Sequence, residues 1–528
     1  MSFGTEPIEI IYLEMIKNIV RIYILRRKNG HAINLYVLCQ AIDLDNFGDY
    51  KDTLTKSGNR LAVKKEEIIT LKSFLSELLS RKIQMSYLDN FIYGFSIPQI
   101  SKEFDLLKIY ENGPVINIEL KSRMIDEKKI EYQLKKNQYY LSHFKKEIIS
   151  FTYVMTETGS KVFSYDGVSL KESNISEILF SICQDGECYH KDIETLFRAK
   201  DYLISPINTP NLFIDGNYYL TDQQENIKNE ILKNIADGKR TIWGITGGAG
   251  TGKTLLLYDI AKQLSNDKKV CIIHSGMLAK GHKFIGEKIT NIDVISARDC
   301  NLEKILEYDC ILVDESQRLY EIDFNSVITA FKNFNRICIF AYDFYQVLSW
   351  KEEKLNIPDK LRSLDCFCEK HITEKIRTNK EIVSFIKHAI YLKNKPDDNI
   401  KYDCIDILYA IDYECATSII EHYVYNKGYE FIAYTPSRVS SVLDYFKGYK
   451  NTHEVIGQEF DNVIFNMDDN FQYAEDGHLQ GKMHPNPNYI FYKLWFQGVS
   501  RAREKLCILV IGNEELFKKL LSVKNKFK

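Results

Sequence analysis

The sequence predicts an α/β fold, and three stretches carry that expectation. Thr241-Ile242-Trp243-Gly244-Ile245 is an apolar run that reads as a short buried strand, and a glycine-rich loop and a helix, Leu255 to Leu264, follow it. Ile311-Leu312-Val313 is a second apolar run, ending in two acids. Lys102 to Ile109 and Val115 to Lys121 alternate like strands around the turn Glu111-Asn112-Gly113-Pro114, so they read as a hairpin. With 528 residues, 45% of them apolar, the chain can fill several cores.

In chain order, residues 1–64 form an N-terminal region without an assigned role. Ile8 to Leu25 has helix-compatible apolar spacing, and the basic run Arg21, Arg26, Arg27 and Lys28 is what a solvated face looks like. The hairpin is more informative. Glu119 and Lys121 are two residues apart and share a strand face, with Asp105 opposite them. Two carboxylates beside a lysine suit metal-assisted phosphodiester cleavage. Asp105 and Glu119 can hold Mg²⁺ or Mn²⁺, the metal acidifies a bound water, and Lys121 orients that water or stabilises developing charge. Asp126 to Phe144 reads as a helix with a basic face, Lys128, Lys129, Lys135 and Lys136. Glu77, on a helix over 70–80, is a candidate further acid. Residues 166–214 read as a connector, closed by Pro206, Pro210 and the Asp215-Gly216-Asn217 turn.

Gly247 to Thr254 fits GxxxxGK[ST] in strand–loop–helix context. Gly247, Gly248, Gly250 and Gly252 let the backbone wrap phosphate, with N–H groups pointing inward and a helix N-terminus behind them. Lys253 reaches the β/γ-phosphates, and the Thr254 hydroxyl sits on Mg²⁺. Asp314 then completes the Mg²⁺ shell, and Glu315 polarises the attacking water.

From about residue 215 onward the ordered motifs resemble superfamily 1 helicases, in particular UvrD-like and Schlafen-type helicase-like relatives. Asp314-Glu315-Ser316-Gln317 matches the family's DExQ form. The resemblance implies that Gln224, in Leu220 to Gln224, contacts adenine. Asp343-Phe344-Tyr345-Gln346 is similar to GDxxQ, with Tyr342 in place of the usual glycine, and implies that Gln346 senses the γ-phosphate. Glu374 to Thr378 resembles the family's segment ending in an arginine, which implies that Arg377 reaches ATP across a cleft. His453 to Phe460 resembles HxxKGxEF with Ile456 for the lysine, and brings Gly457 and Glu459 to the nucleotide site. Val499 to Arg503 resembles the final TRA-type motif, which implies that Arg501 is a second arginine finger. The implied architecture is two RecA-like parallel-sheet motor domains, 215–370 and 371–528, using ATP and Mg²⁺. Likewise Asp105…Glu119-Leu120-Lys121 resembles the D…ExK core of PD-(D/E)XK nucleases, which implies an α/β nuclease-like domain over 65–165. Gln133 and Tyr140 lie on the following helix, but their spacing departs from the QxxxY of RecB-like members, so no chemistry is assigned to them.

The formal net charge of −2 confines any nucleic-acid surface to a local basic patch. Twelve cysteines are scattered, several within apolar runs, as expected of buried thiols in a reducing compartment. Cys183 and Cys188, and Cys366 and Cys368, lack paired zinc-ligand spacing. There is no signal-peptide pattern, and no run approaches about 18 apolar residues, so the expected location is cytoplasmic, without a membrane partner. The polar, glycine- and proline-containing stretch from Phe471 to Asn488 reads as an exposed loop. The functional expectation is an ATP-dependent nuclease–helicase, on DNA rather than RNA, with antiphage defence as its setting. The alternative is an ATP-gated nucleic-acid-sensing switch or adaptor with weak or absent nuclease activity. A protein partner or a homo-oligomer stays open.

Overall fold

The computed structural model describes residues 32–43, 65–97, 102–189, 193–197, 204–344, 346–373, 379–394, 400–435, 445–446, 448–482 and 488–525. Arg377 and its motif, the basic run Arg21 to Lys28, and Pro485 and Pro487 lie outside them. The chain divides into two compact units, Met1–Tyr202 and Leu203–Lys528.

The first unit is built on a seven-stranded sheet whose strands lie in sequence order. They are β1 (Ala32–Ile33), β2 (Phe91–Ser96), β3 (Glu103–Ile109), β4 (Val115–Lys121), β5 (Ile148–Thr156), β6 (Gly159–Tyr165) and β7 (Leu170–Ser173). Neighbours are antiparallel except β4 and β5, which run parallel. A parallel pair needs a long crossover. Among the described residues the α-helices of this unit are α1 (Leu35–Asp43), α2 (Lys65–Ser80), α3 (Glu127–Leu141) and α4 (Ile175–Ile182), and α3 lies within the β4–β5 crossover. The Asp126 carboxylate caps α3 by accepting from the Lys128 N–H at 3.0 Å.

Strand alternation sorts the sheet's two faces. Leu71, Phe74, Leu75 and Leu78 of α2 pack in one core with Ile116, Ile118, Leu120 and Tyr153. Ile130 and Leu134 of α3 cover Val154, Phe163 and Tyr165 on the other face. Glu119 and Lys121 alternate with Ile118 and Leu120, so they fall under α3. The basic face expected on this helix is incomplete: Lys128, Lys129 and Lys135 are exposed, but Lys136 is buried. The stretch read as a connector carries β7 and α4 of this unit.

The second unit holds two wholly parallel sheets with helices between their strands. The first contains β8 (Ile242–Gly247), β9 (Val270–His274), β10 (Ile292–Ser296), β11 (Cys310–Asp314), β12 (Ile337–Tyr342) and β13 (Phe367–Ile372), in the spatial order β10-β9-β11-β12-β8-β13. The second contains β14 (Ile405–Ala410), β15 (Glu430–Ala433), β16 (Lys450–Asn451), β17 (Phe460–Met467) and a late strand, Ala502–Ile511. Separate hydrophobic cores on the two faces of the first sheet explain why β8, β9 and β11 read as unbroken apolar runs. Cys271, Cys310, Cys338 and Cys507 are buried free thiols, as their apolar settings predict.

The stretch read as a loop after Phe471 is different in one respect. It carries a small antiparallel hairpin, β18 (Phe471–Tyr473) and β19 (Leu479–Gly481). Phe471 and Leu479 are buried in the core of the second sheet, so two apolar anchors tie down an otherwise polar segment. The late strand, β20 (Ala502–Ile511), pairs with both β14 and β17. Among the described residues, no helix is long and apolar enough to cross a membrane.

Candidate functional site

Two clusters are assembled, one in each unit. In the second unit β8 is buried along its whole length and delivers the glycine loop at its carboxyl end, the end at which open parallel sheets bind ligands. Gly250 and Gly252 have φ of 72° and 81°, a left-handed conformation that favours glycine. At Gly247 the constraint is space, since a Cβ there would lie 2.8 Å from the Ile372 carbonyl. At Gly248 a Cβ would meet nothing within 4 Å, so that side of the loop is open.

The helix after the loop is Lys253–Leu264, preceded in this unit by Pro210–Ile214 and Asp222–Ala236; they are α7, α5 and α6 respectively. Lys253 opens α7, and its Nζ donates to the Gly247 and Gly248 carbonyls at 2.8 and 2.9 Å. The Thr254 hydroxyl donates to the buried Asp314 carboxylate at 3.3 Å. A hydroxyl and a carboxylate are hard oxygen donors of the kind Mg²⁺ prefers. With the lysine and the open glycine cradle beside them, they fit a magnesium nucleotide.

Glu315 follows Asp314 with a φ of 54°, uncommon for a residue with a side chain. A hydrogen-bonded chain runs from it. Gln317 Nε2 donates to Glu315 Oε2 at 2.7 Å, and Gln317 Oε1 accepts from the Asp343 N–H at 3.2 Å. Gln346 Nε2 donates to Asp343 Oδ2 at 2.9 Å. Arg501 Nη2, from the second sheet's half, donates to Gln346 Oε1 at 3.1 Å. Lys253 Nζ lies 3.7 Å from Asp343 Oδ2 and joins the same cluster. Tyr342, where the related motif has glycine, packs beside Gly244 on the adjacent strand and hydrogen-bonds Glu369.

The remaining expected residues sit as follows. Gln224 is buried; its Oε1 accepts from the Thr221 N–H and its Nε2 donates to the Thr251 carbonyl, each at 3.0 Å. Its amide therefore braces the glycine loop. Gly457 has a φ of 75°, and a Cβ there would lie 3.6 Å from His274 Cε1. Glu459 forms an ion pair with Arg503 at 2.9 Å, and its backbone carbonyl accepts from Asn208 at 2.6 Å.

In the first unit the β3–β4 ladder runs out at Leu106 opposite Ile118. One step beyond, Asp105 Oδ2 accepts the Leu120 N–H at 2.7 Å, which holds its carboxyl beside Glu119. Lys121 Nζ lies 3.4 Å from Glu119 Oε2 and 3.9 Å from Asp105 Oδ2. Glu119 is only 1% exposed. Asn137 Nδ2 donates to its Oε1 at 2.6 Å, and Gln133 Nε2 donates to its Oε2. Burial, with the Glu119 charge beside it, pushes the Asp105 carboxyl up to about 8. Burial pushes Glu119 up as well, but Lys102, Lys121 and the Asn137 amide outweigh it and hold Glu119 below the ordinary glutamate range. Asp105, Glu119 and Lys121 therefore come together, although among the described residues no group of three or more His, Cys, Asp or Glu side chains is placed to hold a metal ion. Glu77 is not part of this cluster. It accepts from Tyr153 at 2.8 Å and Ser160 at 2.9 Å, and Tyr153 belongs to the α2-side core.

Sequence reasoning missed Asn137 and Lys102, and left Gln133 without a role. The signal for the first was available: Gln133 and Asn137 are one helical turn apart, so both face the same strand.

Residues 240–423 match the family model described as the Schlafen group 3, DNA/RNA helicase domain. No curated protein matches the chain. Among solved structures, unliganded Pif1 from Bacteroides sp. is 12% identical, covering 58% of this chain and 98% of that one, with a TM-score of 0.33. Pif1 helicase from Bacteroides in complex with ADP-AlF3 and ssDNA is 11% identical, covering 55% and 92%, with a TM-score of 0.30. Pif1 helicase from Candida albicans is 14% identical, covering 58% and 99%, with a TM-score of 0.29.

Proposed function

We propose that this chain is an ATP-dependent nuclease–helicase acting on DNA, in which a nucleotide-driven motor is coupled to Mg²⁺-dependent phosphodiester cleavage. The observation that carries the motor is the continuous chain Glu315–Gln317–Asp343–Gln346–Arg501, which joins the water-activating acid to an arginine from the other sheet. The match of residues 240–423 to a helicase family supports the same reading.

Thr254 and Asp314 would hold magnesium, which when bound neutralises phosphate charge. Lys253 would turn from the loop carbonyls to the terminal phosphates. Glu315, held by Gln317, would orient the attacking water and take its proton. Arg501 would stabilise charge on the transferring phosphoryl group, so that hydrolysis requires the two sheets' halves to be closed. Gln346 would report the γ-phosphate to Arg501. Gln224 would hold the loop in shape, and Gly457 would let the second half approach it. Arg377 remains in this proposal on its motif alone.

In the first unit Asp105 and Glu119 would hold the divalent cation, Mn²⁺ serving as well as Mg²⁺. Lys121 would orient the attacking water or stabilise developing charge. The preference for DNA and a setting in antiphage defence rest on the family resemblances.

Lys253→Ala and Glu315→Gln are expected to abolish ATP hydrolysis. Arg501→Ala is expected to lower kcat by about 10³-fold or more while nucleotide still binds. Lys121→Ala is expected to abolish cleavage and spare ATPase activity, measured on the same preparations. ATPase loss in Lys121→Ala would point to misfolding instead. A second reading, an ATP-gated nucleic-acid-sensing switch or adaptor, is favoured by one observation: both Glu119 oxygens are already held by the Gln133 and Asn137 amides. For the adaptor, whose nuclease fold is inactive, Asp105→Ala leaves every activity unchanged.

A further inference from the structure

His274 ends β9 directly opposite Asp314, its register partner on β11. Its ring is 0% exposed. Nδ1 lies 3.6 Å from Asp314 Oδ2, just beyond hydrogen-bond distance, and neither ring nitrogen has a hydrogen-bond partner among the described residues. Buried polar groups almost always find partners, and an exception calls for a reason. The setting of the ring supplies one. His282 packs on it with ring centroids 4.3 Å apart. His282 is itself fixed, since its Nδ1 accepts the Ala279 N–H at 2.9 Å. On the other side a Cβ at Gly276 would lie 2.8 Å from His274 Nε2, and one at Gly457 would lie 3.6 Å from Cε1. The imidazole is therefore seated between the magnesium-binding acid of one half and the Gly457 segment of the other.

We infer that His274 is a positioning residue for Asp314 within the magnesium shell. This rests on the ATPase reading above. In the nucleotide-bound state the Nδ1–H donates to Asp314 Oδ2 and fixes the carboxylate against Thr254. Outer-shell partners of this kind typically change metal affinity by about 10–100-fold when removed. Gly276 is part of the same seat, because any side chain there pushes on Nε2.

The test is binding of a fluorescent ATP analogue to the full chain, with and without Mg²⁺, and over a Mg²⁺ titration. His274→Ala and Gly276→Ala should each raise the half-saturating Mg²⁺ concentration by about 10–100-fold and leave magnesium-free nucleotide affinity within a few-fold. His274→Asn keeps a donor near the Nδ1 position and should titrate close to wild type. His274→Gln carries its amide near the Nε2 position and should behave like His274→Ala. The inference is overturned if His274→Ala titrates like wild type. It is also overturned if His274→Asn and His274→Gln are equally impaired, or if magnesium-free affinity falls in parallel, because the histidine then only fills space. If wild-type protein shows no magnesium-dependent nucleotide binding, the ATPase reading itself falls and takes this inference with it.

Discussion

Asp105 and Glu119 show how neighbouring residues of one chemical type are driven apart. Glu119 keeps its charge because Lys102, Lys121 and Asn137 oppose its desolvation, whereas Asp105, half-buried beside that charge, is raised to about 8. An acid raised above its unfolded value of about 3.9 gives the native state an extra proton. Stability of the metal-free protein therefore falls as pH rises from about 4 through 8. Asp105→Asn removes that loss. In thermal melts without divalent cations, the variant should exceed wild type in Tm at pH 9, with the gap narrowing at pH 5. A gap that does not change with pH would contradict this account. The pair was legible in the sequence because a strand's two-residue period puts Glu119 and Lys121 on one face. The amides that hold Glu119 were not, because they come from a helix beyond a crossover, and hairpin alternation says nothing about what covers the sheet.

At the scale of elements, α6 stabilises the glycine loop from outside. Thr221 caps it, accepting the Gln224 N–H at 3.3 Å, and the Gln224 side chain returns the bond and reaches the Thr251 carbonyl. Thr221→Ala should cost about 1 kcal/mol, lower the Tm of the second unit by about 2–4 °C, and weaken ATP binding. A lower Tm with unchanged ATP affinity would mean that the cap and the loop are independent. Strand, loop and helix around Lys253 could be read because glycine spacing and an unbroken apolar run are local signals. The helix starts at Lys253, a little before the apolar spacing suggests. The β18–β19 hairpin escaped because only Phe471 and Leu479 anchor it, through contacts distant in sequence. Strand order in the parallel sheets escaped for the same reason, since each neighbour arrives by a crossover. For Gln224 the motif suggests a base contact, and the structure adds that its amide bonds Thr221 and Thr251 and braces the loop.

For the whole molecule, the proposed function places two chemistries on one chain, a nucleotide cleft in the second unit and a carboxylate–lysine site in the first. The cleft's hydrogen bonds cross from one parallel sheet's half to the other through Gln346 and Arg501, so nucleotide turnover is a natural means of moving those halves. In the proposed function nucleic acid engages through local basic patches, because the net charge is −2, and contacts of those patches to phosphate make binding weaken with added salt. The most direct measurement follows cleavage of labelled single-stranded DNA, double-stranded DNA and RNA by wild type, Lys121→Ala and Lys253→Ala. It is run in Mg²⁺ or Mn²⁺, with and without ATP, and hydrolysis is recorded in the same reactions. The predicted result is DNA cleavage by wild type, none by Lys121→Ala despite normal ATP hydrolysis, and altered cleavage by Lys253→Ala with hydrolysis gone. Intact ATP hydrolysis with no cleavage by wild type under any condition, or equal cleavage by Lys121→Ala, would contradict it.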